Sequence, residues 1–172
     1  MQIIIREETP QDVSEIYKIN EIAFGQPNEA KLVDKLRQSD AWIPGLSLVA
    51  QIGDQVVGHI LFTRIQIKDG DASHESLALA PMAVLPTHQL QGVGGALIKE
   101  GTRKARQLGF QSIVVVGHAN YYPKYGFAPA ANWHIDTHYK VPSEAFMALA
   151  LQPNGLNNVR GTVVYPAAFD EV

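Results

Sequence analysis

Residues 79–97 read LAPMAVLPTHQLQGVGGAL, an apolar run that enters a glycine-rich turn and leaves it with helical spacing. A strand that feeds a glycine loop, which in turn opens a helix, constrains the fold more than any other stretch of this chain. The first N–H groups of a helix have no internal partner and carry partial positive charge, so they suit a phosphate. Glycine adds close backbone approach, because no Cβ stands in the way. The same glycines also serve to pack a helix against a sheet, and the loop alone leaves both readings open.

Spacing separates the kinds of phosphate loop. A Walker loop requires Lys and then Ser or Thr after its last glycine, whereas Gly95 is followed by Ala96 and Leu97. A dinucleotide fingerprint requires G-x-G-x-x-G and an acid about 20 residues on. Here Gly92-Val93-Gly94 continues as Gly95-Ala96-Leu97, and residues 110–116 hold no acid. Neither nucleotide loop is present.

The surrounding pattern predicts a mixed α/β domain. Gln2 to Arg6 reads as a strand, and Thr9-Pro10-Gln11-Asp12 as a helix start that runs to about Phe24. A second helix follows Asn28, with Ala30, Leu32, Val33 and Leu36 on its buried side. Leu46 to Ile52 and Gln55 to Ile67 are strands joined by Gly53-Asp54, and a third runs from about Leu77 to Leu85. From Gly94 a helix runs to Leu108-Gly109, followed by strands at Ser112 to Val116, Ala145 to Leu151 and Gly161 to Tyr165. The order β-α-α-β-β-β-α-β-β-β is not a run of βαβ units. With 172 residues and no linker, repeat or low-complexity tract, one domain over residues 1–172 is expected.

Composition removes several function classes. The 14 Lys and Arg against 17 Asp and Glu leave a net charge of −3, which argues against nucleic acid as a partner. Hydrophobic residues make up 46% and charged ones 18%, so the chain can bury a sizeable core. No cysteine is present, which excludes disulfides, thiolate nucleophiles and Cys-ligated zinc. The uncharged run from Ser76 to Ile98 is broken by Pro81, Pro86, two glutamines and glycines, and a membrane span needs about 20 mostly apolar residues. The first eight residues hold no apolar stretch long enough for a signal peptide. A cytoplasmic protein with no membrane association is the expectation.

Gln89-x-x-Gly92-x-Gly94 resembles the Q/R-x-x-G-x-G/A pyrophosphate loop of the GNAT superfamily of N-acetyltransferases. "LALAPMAVLP" is similar to that superfamily's fourth strand, where Pro81 suits an irregular strand because it donates no ladder hydrogen bond. "LGF", "SIVVVG" and "YYPKYGF" follow in the family's order. The segments "AVLPTHQLQGVGGALIKEG", "VVVGHANYYPKYGF", "FMALAL" and "GTVVYPAAF" look most like the YhbS-like branch, and the resemblance spans roughly Gln2 to Phe169. It implies the GNAT fold, a mixed, mostly antiparallel six- to seven-stranded sheet with helices on both faces. It further implies acetyl-coenzyme A as cosubstrate, no metal, and transfer to a primary amine on a small molecule or peptide.

Carried onto this sequence, the resemblance assigns the pantetheine arm to the backbone of Met82, Ala83 and Val84. It assigns the pyrophosphate to Gln89, Leu90, Gln91, Gly92, Val93, Gly94 and Gly95. Tyr122 stands four residues before Gly126-Phe127, matching the family's Y-x-x-x-G-F pattern, and is the expected general acid toward the departing thiolate. Tyr125, three residues on, shares its face if the segment is helical and is placed with the cofactor. Tyr121 is read as structural. The general base is left among His118, Glu75 and water, because residues 77–84 contain no carboxylate.

Three departures stand out: Leu90 where glycine is common, Ala150 where the branch often has Glu, and Val115 and Val116 near the place of a common Asn. Ala150 and the lack of a carboxylate in residues 77–84 leave an alternative, a non-catalytic acyl-CoA-binding sensor on the same fold. His134 and His138 lie four apart but in a stretch read as loop or strand, which does not make a metal pair. The acceptor side is expected from residues 24–42 and 139–165. Superfamily members are often dimers, so the resemblance also allows a homodimer.

Overall fold

A computed structural model describes residues 2–171. In chain order its elements are β1 (Ile4–Glu7), α1 (Val13–Phe24), α2 (Asn28–Arg37), β2 (Ser47–Ile52), β3 (Gln55–Asp69) and β4 (Ala72–Val84). There follow α3 (Val93–Gln107), β5 (Ser112–Val116), β6 (Ala128–Pro129), β7 (Ile135–Asp136), β8 (Phe146–Ala150) and β9 (Gly161–Val164). Short 3-10 turns include Pro86–His88, Tyr122–Tyr125 and Ala167–Glu171.

The strands form one sheet in the order β1-β2-β3-β4-β5-β8-β6, with β9 on β3 and β7 on β9. Pairing is antiparallel except between β4 and β5 and between β7 and β9. The seven longer strands and three helices follow the expected order. The two-residue strands β6 and β7 are additions, too short to show any hydrophobic period. β4 also starts at Ala72 rather than near Leu77. Its first residues are mostly exposed and pair with the far end of β3, so they carry no apolar signal.

Strand alternation puts helices on both faces. Leu48, Ala50, Ile60 and Phe62 pack with Val93, Leu97 and Ile98 of α3. The intervening Val49 and Leu61 pack instead with Ile16 of α1 and with Leu32, Val33 and Leu36 of α2. α3 lies close to the sheet because Gly101 receives the Phe62 ring, where a Cβ would overlap it. The start of the chain is tied down by Arg6, whose Nη1 donates to Asp12 Oδ2 at 2.7 Å and holds that carboxyl down at about 2.

A buried polar chain joins α1 and α2 to the sheet. Arg37 of α2 donates to both oxygens of Glu8 at 3.0 and 3.1 Å, and Ser47 bonds Glu8 in turn. His59 Nε2 lies 2.9 Å from Ser47 Oγ, and Asn20 Nδ2 of α1 lies 3.3 Å from His59 Nδ1. Burial, and then the Arg37 charge, push His59 down to about 3. The ring is therefore neutral, with Nδ1 accepting from Asn20 and Nε2–H donating to Ser47. In the sequence this histidine has no partner pattern, since its partners lie on four other segments.

Candidate active site

The site begins with a fault in β4. Met82 opposes Ile60 and Leu79 opposes Phe62, so Ala80 and Pro81 together face the single residue Leu61. That two-against-one arrangement is a β-bulge, and Pro81 has no N–H to lose there. Before the bulge, β4 pairs with β5 at Leu77–Ile113 and Ala78–Val114 only. After it, Met82, Ala83 and Val84 stay on β3, while β5 continues to Val116 on β8. The two strands part, and a cleft of about 930 Å³ occupies the gap.

Met82 and Val84 line this cleft, whereas Ala83 points to the opposite face, buried across from His59. At one end stands the amino terminus of α3. Gly92 is its cap residue with φ +87°, a left-handed conformation that glycine adopts at little cost, and open space surrounds the position of its missing Cβ. No turn hydrogen bond engages the N–H of Leu90, Gln91 or Gly92 among the described residues. Val93, Gly94 and Gly95 occupy the first helical turn, whose N–H groups have no intrahelical acceptor. No acidic side chain lies in that turn to oppose an anion.

Gly94 and Gly95 answer the packing alternative raised by the sequence. A Cβ on Gly94 would come within 2.7 Å of the Tyr121 hydroxyl, and one on Gly95 would collide with the Tyr125 hydroxyl. These two glycines make room for tyrosines, while Gly92 serves the turn. Leu90 too is left-handed, with φ +62°, and its side chain is fully exposed at the mouth of the cleft. Gln89 lines the cleft but donates its Nε2 to the Val84 carbonyl at 3.0 Å, closing the loop on the strand. Gln91 donates to the Thr87 carbonyl at 3.2 Å and does not line the cleft.

Three tyrosines form the opposite wall. The 3-10 turn Tyr122–Tyr125 sets Tyr122 and Tyr125 facing the cleft, and Tyr121 joins them, which its structural reading in the sequence missed. Tyr121 meets Tyr122 edge-on at 5.2 Å and Tyr125 at 5.4 Å. Tyr122 is 7% exposed, with its ring against Gly117 and Phe127. Burial, then the neighbouring Tyr125, push its phenol up to about 12, so it holds its proton at neutral pH. A buried protonated phenol is suited to give a proton, not to take one.

Of the two side chains considered as base, His118 lines the cleft at the end of β5. Glu75 does not: it pairs with Arg64 at 2.9 Å on the outer part of the β3–β4 hairpin. It is dropped as a base, because the bulge that opens the cleft lies further along β4. His134 ends a 3-10 turn and His138 stacks on Tyr139 at 4.2 Å. Among the described residues no three His, Asp or Glu side chains gather as a metal group.

The cleft's far end draws on residues the sequence named only as a region. Phe24, Glu29 and Leu32 reach it from α1 and α2, Tyr139 from the loop before β8, and Phe169 from the last 3-10 turn. Nothing local distinguishes Glu29 from the other acids of these helices in the sequence. No helix among the described residues is long and apolar enough to cross a membrane.

This geometry matches a known family. The acetyltransferase (GNAT) family matches residues 13–137. The chain belongs to the GNAT family. It is on that ground an acyltransferase with the GNAT fold. It is 44% identical to the uncharacterised N-acetyltransferase YjhQ of Escherichia coli over 131 residues, 76% of this chain and 71% of YjhQ. The E. coli GNAT protein YhbS, solved in complex with CoA, superposes with a TM-score of 0.91 at 28% identity, covering 99% of this chain and 93% of YhbS. A GNAT acetyltransferase from Brucella melitensis, solved with acetyl-CoA, gives a TM-score of 0.79 at 36% identity over 98% and 99% of the two chains.

Proposed function

We propose that this chain is a one-domain N-acetyltransferase that moves the acetyl group of acetyl-CoA to a primary amine by direct attack in a ternary complex. The observation that carries this reading is the parting of β4 from β5 between a helix amino terminus with free N–H groups and a buried, protonated Tyr122. The CoA and acetyl-CoA bound by the two solved relatives support the choice of cofactor.

When bound, acetyl-CoA supplies a thioester whose carbonyl carbon an amine attacks. The backbone N–H groups of residues 90–95 would hold the pyrophosphate, with Gly92 permitting the approach. The edge of Met82, Ala83 and Val84 that β5 leaves open, with the Val84 carbonyl already taken by Gln89, would hold the pantetheine arm as an added strand. Tyr125, and with it Tyr121, would border that arm. Tyr122 would hold its proton at the phenol oxygen until the sulfur departs. No carboxylate stands on the cleft side of β4, so the amine proton would leave through His118 or water. Positioning of the two reactants supplies most of the acceleration.

The reading is tested by titrating acetyl-CoA into the pure protein, then following thiol release with a panel of amines. Saturable binding with amine-dependent release is expected. Binding without release for any amine leaves a sensor, and no binding removes the functional reading altogether.

A further inference from the structure

Building on the transferase reading above, we infer that the acceptor is a small monocationic amine carried on an apolar or aromatic body and bearing no carboxylate. The charge inventory of the cleft is the first ground. Glu29 is the one carboxylate that lines it among the described residues, and no Lys or Arg lines any part. One carboxylate offsets one ammonium. A polyamine would press its further charges against apolar walls, and a substrate carboxylate would meet no cation.

Glu29 is held ready for such a partner. Both of its oxygens accept from Gln26 Nε2, at 3.0 and 3.2 Å, and it forms no ion pair among the described residues. It sits in the first turn of α2. Its remaining lone pairs are open to an ammonium.

The apolar and aromatic side chains that line the cleft with Glu29 select the body of that amine. Phe24, Leu32, Tyr139 and Phe169 line this end, and Tyr165 stands behind two of them, 5.1 Å from Tyr139 and 5.2 Å from Phe169. Aromatic faces attract a cation and bury an apolar body. The turn Ala167–Glu171 packs over α2: Phe169 joins the Leu32–Leu36 cluster, Lys35 pairs with Glu171 at 2.7 Å, and Tyr139 donates to Asp170 at 3.3 Å. An end walled in this way favours a small molecule over an extended peptide. In the transfer, one proton leaves the ammonium for solvent, the N–C bond forms, the C–S bond breaks, the sulfur takes a proton from Tyr122, and the second proton lost by the nitrogen returns through water to the Tyr122 oxygen.

The test compares 2-phenylethylamine, spermidine, L-phenylalanine and a tripeptide amide with amino-terminal Phe, using acetyl-CoA-saturated wild type and Glu29→Gln. The inference expects kcat/KM for 2-phenylethylamine at least tenfold above each of the others. Glu29→Gln should raise its KM at least tenfold, with kcat within threefold and acetyl-CoA affinity unchanged. A preference for any of the other three, or an unchanged KM in Glu29→Gln, overturns it. If no amine releases thiol, the transferase reading fails separately, and calorimetric binding of the same amines with CoA present decides the inference. Binding of 2-phenylethylamine that is strongest of the four and weakened tenfold by Glu29→Gln upholds it, and any other result sinks it.

Discussion

The two ends of the cleft are built from different parts of the polypeptide. The end proposed for the cofactor is chiefly backbone: a bulge at Ala80-Pro81, a strand edge at residues 82–84 and the N–H groups of residues 90–95. The end proposed for the acceptor is side chains, gathered from Phe24, Glu29, Leu32, Tyr139 and Phe169. A backbone device depends on conformation, which only a few residue types allow, so it leaves a compact signature. A side-chain device can be recast by substitution on an unchanged scaffold. On the proposed function, the first end is the part a family can share, and the second is where specificity would be set.

The sharpest way to break this division is Gly92→Glu. The substitution places a carboxylate at the α3 amino terminus and forces a side chain into a left-handed turn. Acetyl-CoA affinity by calorimetry should fall more than about 100-fold, through repulsion added to strain. Gly92→Asn, which tolerates the left-handed turn and brings no charge, should stay within about tenfold of wild type. Equal losses in the two variants would mean that strain alone governs the loop. Next in size is Tyr122→Phe, which removes only a hydroxyl from a well-packed ring. Its kcat should fall roughly 100-fold while acetyl-CoA affinity changes less than twofold. Full activity in that variant removes Tyr122 as the acid.

The same division explains what could be read from the sequence. The order of the longer elements, the strand irregularity at Pro81 and the glycine loop are all local, and residues 79–97 hold most of the cofactor end in one stretch. Even there, the roles of adjacent glycines were hidden: Gly94 and Gly95 admit Tyr121 and Tyr125 from the segment that follows β5, which spacing does not reveal. Glu29 looks like any other acid of an amphipathic helix until the fold places it in one cleft with Tyr139 and Phe169. His59 likewise shows no motif, because Asn20, Ser47, Glu8 and Arg37 reach it only through the tertiary structure.

His59 gives the division a pH dependence, since its network ties α1 and α2, the acceptor-side helices, to the sheet. Its pKa is about 3 in the fold against 6.5 when free. Between those values the unfolded chain binds a proton that the folded protein excludes, so stability is lost as pH falls below 6.5. From pH 7 to pH 5 this residue's contribution is a loss of about 2 kcal/mol. Thermal or urea melts of wild type against His59→Gln measure it, because the variant should be flatter over that range whatever its absolute stability. Parallel slopes would mean that the buried ring takes up its proton in the folded state.

Leu90 offers the smallest and most discriminating change. It is the one residue of the loop that departs from the family pattern, and it adopts the left-handed φ that glycine would take there freely. Its side chain is fully exposed, so removing it forfeits no packing within the protein. Relief of the left-handed cost, less the added freedom of glycine in the unfolded chain, leaves Leu90→Gly more stable by about 0.5 kcal/mol. If the cofactor end works through backbone alone, acetyl-CoA affinity should hold or rise by up to about threefold as the N–H groups become easier to approach. A fall in affinity would place the exposed leucine against the bound cofactor, and the cofactor end would then owe part of its grip to a side chain.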